Sequence, residues 1–425
     1  MYTAVALVEQ RTIWLDDYLP YIQERAGELP YMVTLRPSGH VVTATPTASS
    51  LLAVPPVAVF STVGVDASDF DAWMEAGMLT AAIAAAGSVA LLFIVLTRIT
   101  SHNIAAVSSA TYAWGTLTWG VSGQALWQHP GAVLALSALL LALVARRPAL
   151  AGAALGAMVA FRLPTAIIAV FLLPLIGRRP SAWGRFALGI LPYGLALAAY
   201  NQEAFGSPFR QGYGNAPFRS WLGIDLENLA DGLPGLLVSP GRGLFVYSPV
   251  LLFAVFGALR GWRTPLYRWC AVAAAAYIVS AANSLAWHGG ESFGARRIVD
   301  VLPLLAVLLV PALEALRAQK WRWLYGTLLA WSVFVQLLGT AAWESAAWFD
   351  GRTLTEDSWW SVRDNELVAM IQSPDVVPRV LVMIGILVGG IGFGVLATAA
   401  TENLRRARVR GRNHSIEPHA DEVRS

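Results

Sequence analysis

Two adjacent arginines are the residues of this chain best suited to gripping an anion. They close the polar stretch Trp287-His288-Gly289-Gly290-Glu291-Ser292-Phe293-Gly294-Ala295-Arg296-Arg297, which runs straight into the apolar Ile298-Val299-Asp300-Val301-Leu302-Pro303-Leu304-Leu305. Planar guanidinium forks match phosphate oxygens, glycines permit tight backbone turns, and His288 and Glu291 can titrate or hydrogen-bond a substrate. The plainer reading is a solvated turn whose arginines lie along apolar surface with their charges in water.

Four other groups could share such a site. The segment Ile13-Trp14-Leu15-Asp16-Asp17-Tyr18 offers adjacent carboxylates, either of which could act as a general base, although paired acids on a loop are often only solvated. Arg242 in Ser239-Pro240-Gly241-Arg242-Gly243 is a further candidate for phosphate. Tyr213 and neighbours such as Trp221 could stack on sugar rings, a role that competes with the aromatic belt of a membrane interface. His40, in Ser38-Gly39-His40-Val41-Val42-Thr43-Ala44-Thr45-Pro46, is a candidate substrate ligand or a structural histidine. A phosphate-cradling glycine loop, a His-Glu-x-x-His zinc motif and a recognisable Ser/His/Asp frame are all missing, which argues against nucleotide-driven transport and zinc proteolysis.

The elements that must position these residues are membrane helices. Of 425 residues, 56% are hydrophobic and 13% charged, and the mean hydropathy of +0.54 lies far above that of a soluble domain. Lipid forces each spanning run to be a helix, since unpaired backbone groups cannot be hydrated there. The fold class is therefore all-α, a polytopic helical bundle with spans expected near 76–97, 104–122, 131–145, 148–162, 163–176, 186–201, 243–258, 269–286, 301–314, 323–340 and 379–400.

Basic residues collect in alternate connections. Arg98, Arg146-Arg147, Arg178-Arg179 with Arg185, Arg260 with Arg263 and Arg268, Arg317 with Lys320 and Arg322, and the tail from Arg405 to Arg412 all fall on one side, which charge bias makes cytoplasmic. The outer side receives residues 1–75 and the loops 202–242, 287–300 and 341–378, with most of the acids that precede the tail. Arg242, Arg296 and Arg297 thus stand where arginine is scarce, and that invites an anionic partner.

Within residues 1–75, the apolar run 51–65 contains Pro55-Pro56 and is expected as an outer-surface or re-entrant segment. Arg162-Leu163-Pro164-Thr165 divides two short runs and reads as a turn at the outer surface. Residues 401–425 read as a disordered basic cytoplasmic tail. The pI near 9.1 reflects this membrane charge bias rather than nucleic-acid binding. One cysteine, Cys270, excludes an intramolecular disulfide or a cysteine-based metal site, and Met1 to Gln10 lacks the features of a signal peptide.

The order of these pieces resembles the polytopic GT-C glycosyltransferases, in particular bacterial members grouped with dolichyl-phosphate-mannose-protein mannosyltransferases and the RgtA-like sugar transferases. The resemblance rests on Gly39-His40 leading to Leu51-Leu52-Ala53-Val54-Pro55, Gly152 to Thr165, Tyr200-Asn201 with Phe205-Gly206-Ser207-Pro208 and Gly212-Tyr213, Gly243 to Pro249, and Trp287 to Leu305. It implies transfer of a sugar from a polyprenyl-phosphate carrier to a glycan, lipid or protein acceptor on the outer face of the plasma membrane. An aspartate of the first outer loop would be the base and basic residues, here Arg296 and Arg297, would hold the departing phosphate.

In that family a span and the catalytic acid precede the outer helix to which Tyr2 to Glu9 corresponds. The base is therefore expected upstream of Met1 or at Asp16 or Asp17, unless the chain is inactive. Ala44-Thr45 also departs from the polar residues that relatives often carry before the proline. No cofactor is expected, and the metal requirement stays open. The rival expectations are a transporter or flippase of lipid-linked saccharides, for which inverted halves would speak, and a non-catalytic membrane subunit.

Overall fold

The computed structural model describes residues 1–26, 33–35, 39–210, 212, 225–290, 292–316, 318–342, 356–373 and 376–385. Within them the chain is helical apart from one two-stranded ribbon, in which Val33–Leu35 (β1) pairs antiparallel with Val41–Thr43 (β2), Thr34 opposite Val42. β-branched residues outside the apolar runs favour this local exception.

The N-terminal layer comprises α1 (Tyr2–Glu9), α2 (Leu19–Ala26), the ribbon and α3 (Ala48–Thr62). Tyr2, Val5, Tyr18, Val41, Ala53 and Val57 form its core and close it against Trp73 and Ala76, in the first turns of α4 (Phe70–Thr97). The helix α3 carries Pro55 and Pro56 in its interior and leaves Leu51 and Val59 exposed, which suits a segment lying against apolar surroundings.

The bundle continues with α5 (His102–Trp114), α6 (Gln128–Val144), α7 (Pro148–Phe161), α8 (Ala166–Leu172) and α9 (Pro180–Phe205). Next come α10 (Leu226–Val238), α11 (Leu244–Tyr247), α12 (Leu252–Gly261) and α13 (Pro265–Ala282). The last are α14 (Leu302–Ala315), α15 (Gln319–Ala342), α16 (Glu356–Trp360), α17 (Glu366–Gln372) and α18 (Val376–Gly385). Every residue of α14 from Leu302 to Ala312 is buried. A helix apolar on all sides belongs at the centre, and α14 is the axis of the bundle. In α13 the sole cysteine, Cys270, is fully buried.

At the opposite extreme α9 stands at the periphery and packs on α7 through glycine. A Cβ on Gly152 would come within 2.0 Å of the Phe186 carbonyl oxygen, and one on Gly189 within 2.0 Å of the Ala149 oxygen. Small residues facing one another let two helix backbones touch where lipid supplies no hydrophobic drive for association.

Among the described residues, four helical segments are long and apolar enough to cross a membrane: Phe70–Thr97, Pro180–Phe205, Arg296–Ala315 and Gln319–Ala342. Shorter apolar helices, among them Gln128–Val144, Pro148–Phe161 and Pro249–Gly261, account for further expected runs, and α17 with α18 forms a pair bent by 92°.

Two runs expected to be continuous are broken. The one begun by α5 stops at Gly115 and resumes as a single wide turn over Thr118–Ser122. The one expected over 243–258 breaks at Ser248-Pro249, where proline removes a donor and forces the preceding residue out of helical geometry. The turn expected at Arg162 is present: α7 ends at Phe161, Arg162 is extended, and Leu163–Thr165 forms a 3-10 turn into α8.

Candidate functional site

The arginine loop is built by three left-handed glycines. Gly289, Gly290 and Gly294 have φ of +84°, +69° and +55°, values that glycine adopts without steric cost. They fold the chain between the end of α13 and the 3-10 helix Arg296–Val301 that leads into α14. Trp287 wedges against Gly235 of α10, where any Cβ would lie 2.3 Å from the indole. Trp359 closes the other side, edge-on to Trp287 at 5.0 Å and stacked on the His288 imidazole at 4.4 Å.

His288 is held as a neutral base. Its Nδ1 lies 3.1 Å from the Gly290 N–H, which donates to it, and an acceptor nitrogen cannot also carry a proton. Burial, followed by the positive charges of Arg242, Arg297 and Arg296, pushes its pKa down to about 4.

Arg242 is fully buried beneath this loop. Its guanidinium donates to the carbonyl of Ser292, to that of Gly290 at 3.1 Å, and to Glu366 Oε2 at 2.9 Å. Glu366, the first residue of α17, also accepts from the Tyr247 hydroxyl at 2.5 Å and from the Gly294 N–H at 2.7 Å. The arginine assigned from sequence to an anion is therefore engaged as a latch, fastening the loop to α11 and α17.

Arg296 and Arg297 diverge from a common 3-10 turn. The Arg296 guanidinium lies over the Trp127 ring with its Cζ 3.9 Å from the centroid, and it also donates to the Gly289 carbonyl. Arg297 Nε donates to the Ala286 carbonyl at 2.9 Å. Both side chains are half-buried and positioned by carbonyls and a π face, an arrangement that fixes each guanidinium before any anion arrives.

One turn further on, Asp300 is buried among three helix ends. It meets His129 Nδ1 at 3.0 Å and Arg162 Nε at 2.7 Å, and accepts a hydrogen bond from the Tyr277 hydroxyl. Neither His129 nor Tyr277 stood out in the sequence, because each is a single titratable residue in or beside an apolar run.

In the N-terminal layer Asp16 accepts from the Val41 N–H at 3.1 Å and faces His40 Nδ1 at 3.2 Å, while His40 stacks on Trp14 at 4.8 Å. Asp17 points elsewhere and accepts from Gln10 at 3.0 Å. Of the two adjacent acids, Asp16 is thus the one joined to His40. One link runs from the layer to the arginine loop: Ser49 of α3 donates to the Trp127 carbonyl at 3.2 Å, and the same tryptophan carries Arg296 on its ring.

Glu291 and Tyr213, expected to touch substrate, lie outside the described residues. Among the described residues no group of three or more His, Cys, Asp or Glu side chains is placed to hold a metal ion. No protein-family model matches the chain, and neither a curated protein nor a solved structure matches it.

Proposed function

We propose that this chain is a membrane glycosyltransferase that moves a sugar from a polyprenyl-phosphate carrier to an acceptor on the outer face of the plasma membrane. Arg296 and Arg297 stabilise the departing phosphate, whose developing charge is what fixed cationic donors stabilise best. Asp16, oriented by the Val41 N–H and His40, is the carboxylate closest in kind to a general base, with Asp17 beside it. His288 stays neutral at the rim and contacts substrate as a hydrogen-bonding group, as do Glu291 and Tyr213. Arg242 acts on the phosphate through the loop it latches. The eleven-span topology, with a cytoplasmic C-terminus, belongs to the same proposal.

The observation that carries this reading is the link through Trp127. It ties the layer bearing Asp16 and His40 to the loop bearing Arg296 and Arg297, so the candidate acid and the candidate cations belong to two contacting parts of the fold. The experiment is transfer by the purified full chain in lipid nanodiscs, supplied with polyprenyl-phosphate sugars and assayed for released polyprenyl phosphate. Release that falls on Arg296→Ala and on Asp16→Asn is expected. Movement of an intact lipid-linked saccharide between leaflets without release would replace this reading with the flippase. Neither release nor movement with any such donor would leave a non-catalytic subunit.

A further inference from the structure

We infer that Asp300 is the positioning residue of the phosphate-binding arginines, working through a buried cluster with His129, Arg162 and Tyr277; this rests on the transferase reading above. The cluster sits where four chain segments meet. His129 is the second residue of α6, Arg162 follows α7, Tyr277 belongs to the last turns of α13, and Asp300 lies in the 3-10 turn that begins with Arg296 and Arg297. The Asp300 side chain is 1% exposed and that of His129 3%.

The bonds leave Asp300 little freedom. Oδ1 faces His129 Nδ1 at 3.0 Å, and Oδ2 takes Arg162 Nε at 2.7 Å together with the Tyr277 hydroxyl. Arg162 Nε also reaches that hydroxyl at 3.2 Å. Burying such a cluster stabilises no better than well-packed apolar residues would, so it is a weak device for stability. It is a strong device for specificity, because an ionised carboxylate must keep its donors in a low-dielectric interior. What it specifies here is the seat of the turn that carries Arg296 and Arg297.

The segment Trp127 to His129 makes the coupling direct. Its tryptophan supports the Arg296 guanidinium at 3.9 Å, and its histidine, two residues on, holds Asp300. A shift of Asp300 therefore moves the arginine turn and its aromatic platform together. Asp300 touches no substrate in this proposal.

The test uses the full chain in nanodiscs and two probes of equal chain length, a polyprenyl monophosphate and the neutral polyprenol. Loss of the carboxylate in Asp300→Asn is expected to weaken monophosphate binding by about tenfold or more, as for loss of a charge-assisted hydrogen-bond network, and to leave polyprenol binding unchanged. Asp300→Glu is expected to recover part of the loss. Unchanged monophosphate binding in Asp300→Asn, or an equal loss for both probes, overturns the inference. Should Asp300→Asn not fold, Tyr277→Phe decides: it removes one hydroxyl and is expected to lower monophosphate preference by about threefold, and an unaltered preference overturns the inference. A wild-type chain without preference for the monophosphate overturns the transferase reading and this one together. A wild-type preference that Asp300→Asn retains overturns this one alone.

Discussion

Arg296 rests on Trp127, its guanidinium carbon 3.9 Å from the centre of the indole. The contact joins the approach to α6 with the turn before α14, two segments far apart in sequence. A ring face of this kind sets the plane of the guanidinium and draws on its charge without taking up the proton donors that an anion would use.

Trp127→Leu is expected to cost about 1 kcal/mol, the range of a partly buried cation–π contact, while Trp127→Tyr keeps most of it. Thermal unfolding of the detergent-solubilised protein checks the stability. Retention on a phosphate-bearing lipid film is expected to fall in the leucine variant and to hold in the tyrosine variant, and equal retention in both would remove the platform role.

Arg242 and Glu366 are both buried, paired at 2.9 Å. Glu366→Ala is expected to destabilise by about 3–5 kcal/mol, because it strands a buried guanidinium. The double variant Arg242→Met with Glu366→Leu is expected to regain only part of that loss, because it also leaves the Ser292 carbonyl and the Gly294 N–H without their partners. A double variant no more stable than Glu366→Ala would mean that the pair holds the loop through its charge rather than by filling space.

His288 makes the loop sensitive to acid, and the sign follows from its pKa. The folded value of about 4 lies below the ordinary histidine value of about 6.5, so between the two the unfolded chain binds more protons. The stability contributed by neutral His288 is complete above about pH 6.5 and is lost as pH falls through the folded value. Melting temperature measured across this window is expected to decline more steeply for the wild type than for His288→Gln. Parallel curves would show that His288 does not titrate in this way.

The α7–α9 seam supplies a steric test with an internal control. Gly189→Leu is expected to separate the helices and cost about 1–3 kcal/mol or more, since even a Cβ there meets the Ala149 oxygen at 2.0 Å. Gly194, on the same helix, has nothing within 4 Å of the place a methyl group would take, and Gly194→Ala is expected to be neutral or to stabilise by up to about 1 kcal/mol. Equal tolerance at both positions would contradict the seam.

What could be read from the sequence was local. Gly289, Gly290 and Gly294 sit beside titratable residues in a polar stretch, and all three take the left-handed backbone such a stretch needs. Arg162-Leu163-Pro164-Thr165 carries its own stop signal and turns where expected. The partners of these residues were not legible. Glu366 bonds an arginine 124 residues away, and His129 meets an aspartate 171 residues on. Such pairings leave no periodicity along the chain, because their geometry is set by helix packing. Breaks inside long apolar runs escaped for a related reason. Composition gives apolar length, whereas a proline such as Pro249 decides whether that length is continuous.

The burial of Cys270 has a practical consequence. It is the sole cysteine of the chain and has no solvent-accessible surface, so the folded protein is silent to maleimides. Thiols installed one at a time at exposed positions such as Asp17 and Lys320 can then be labelled by a membrane-impermeant reagent on intact cells, with no need to build a cysteine-free background. Asp17→Cys labelled from outside, with Lys320→Cys labelled only after lysis, would assign a compartment to each end of the bundle.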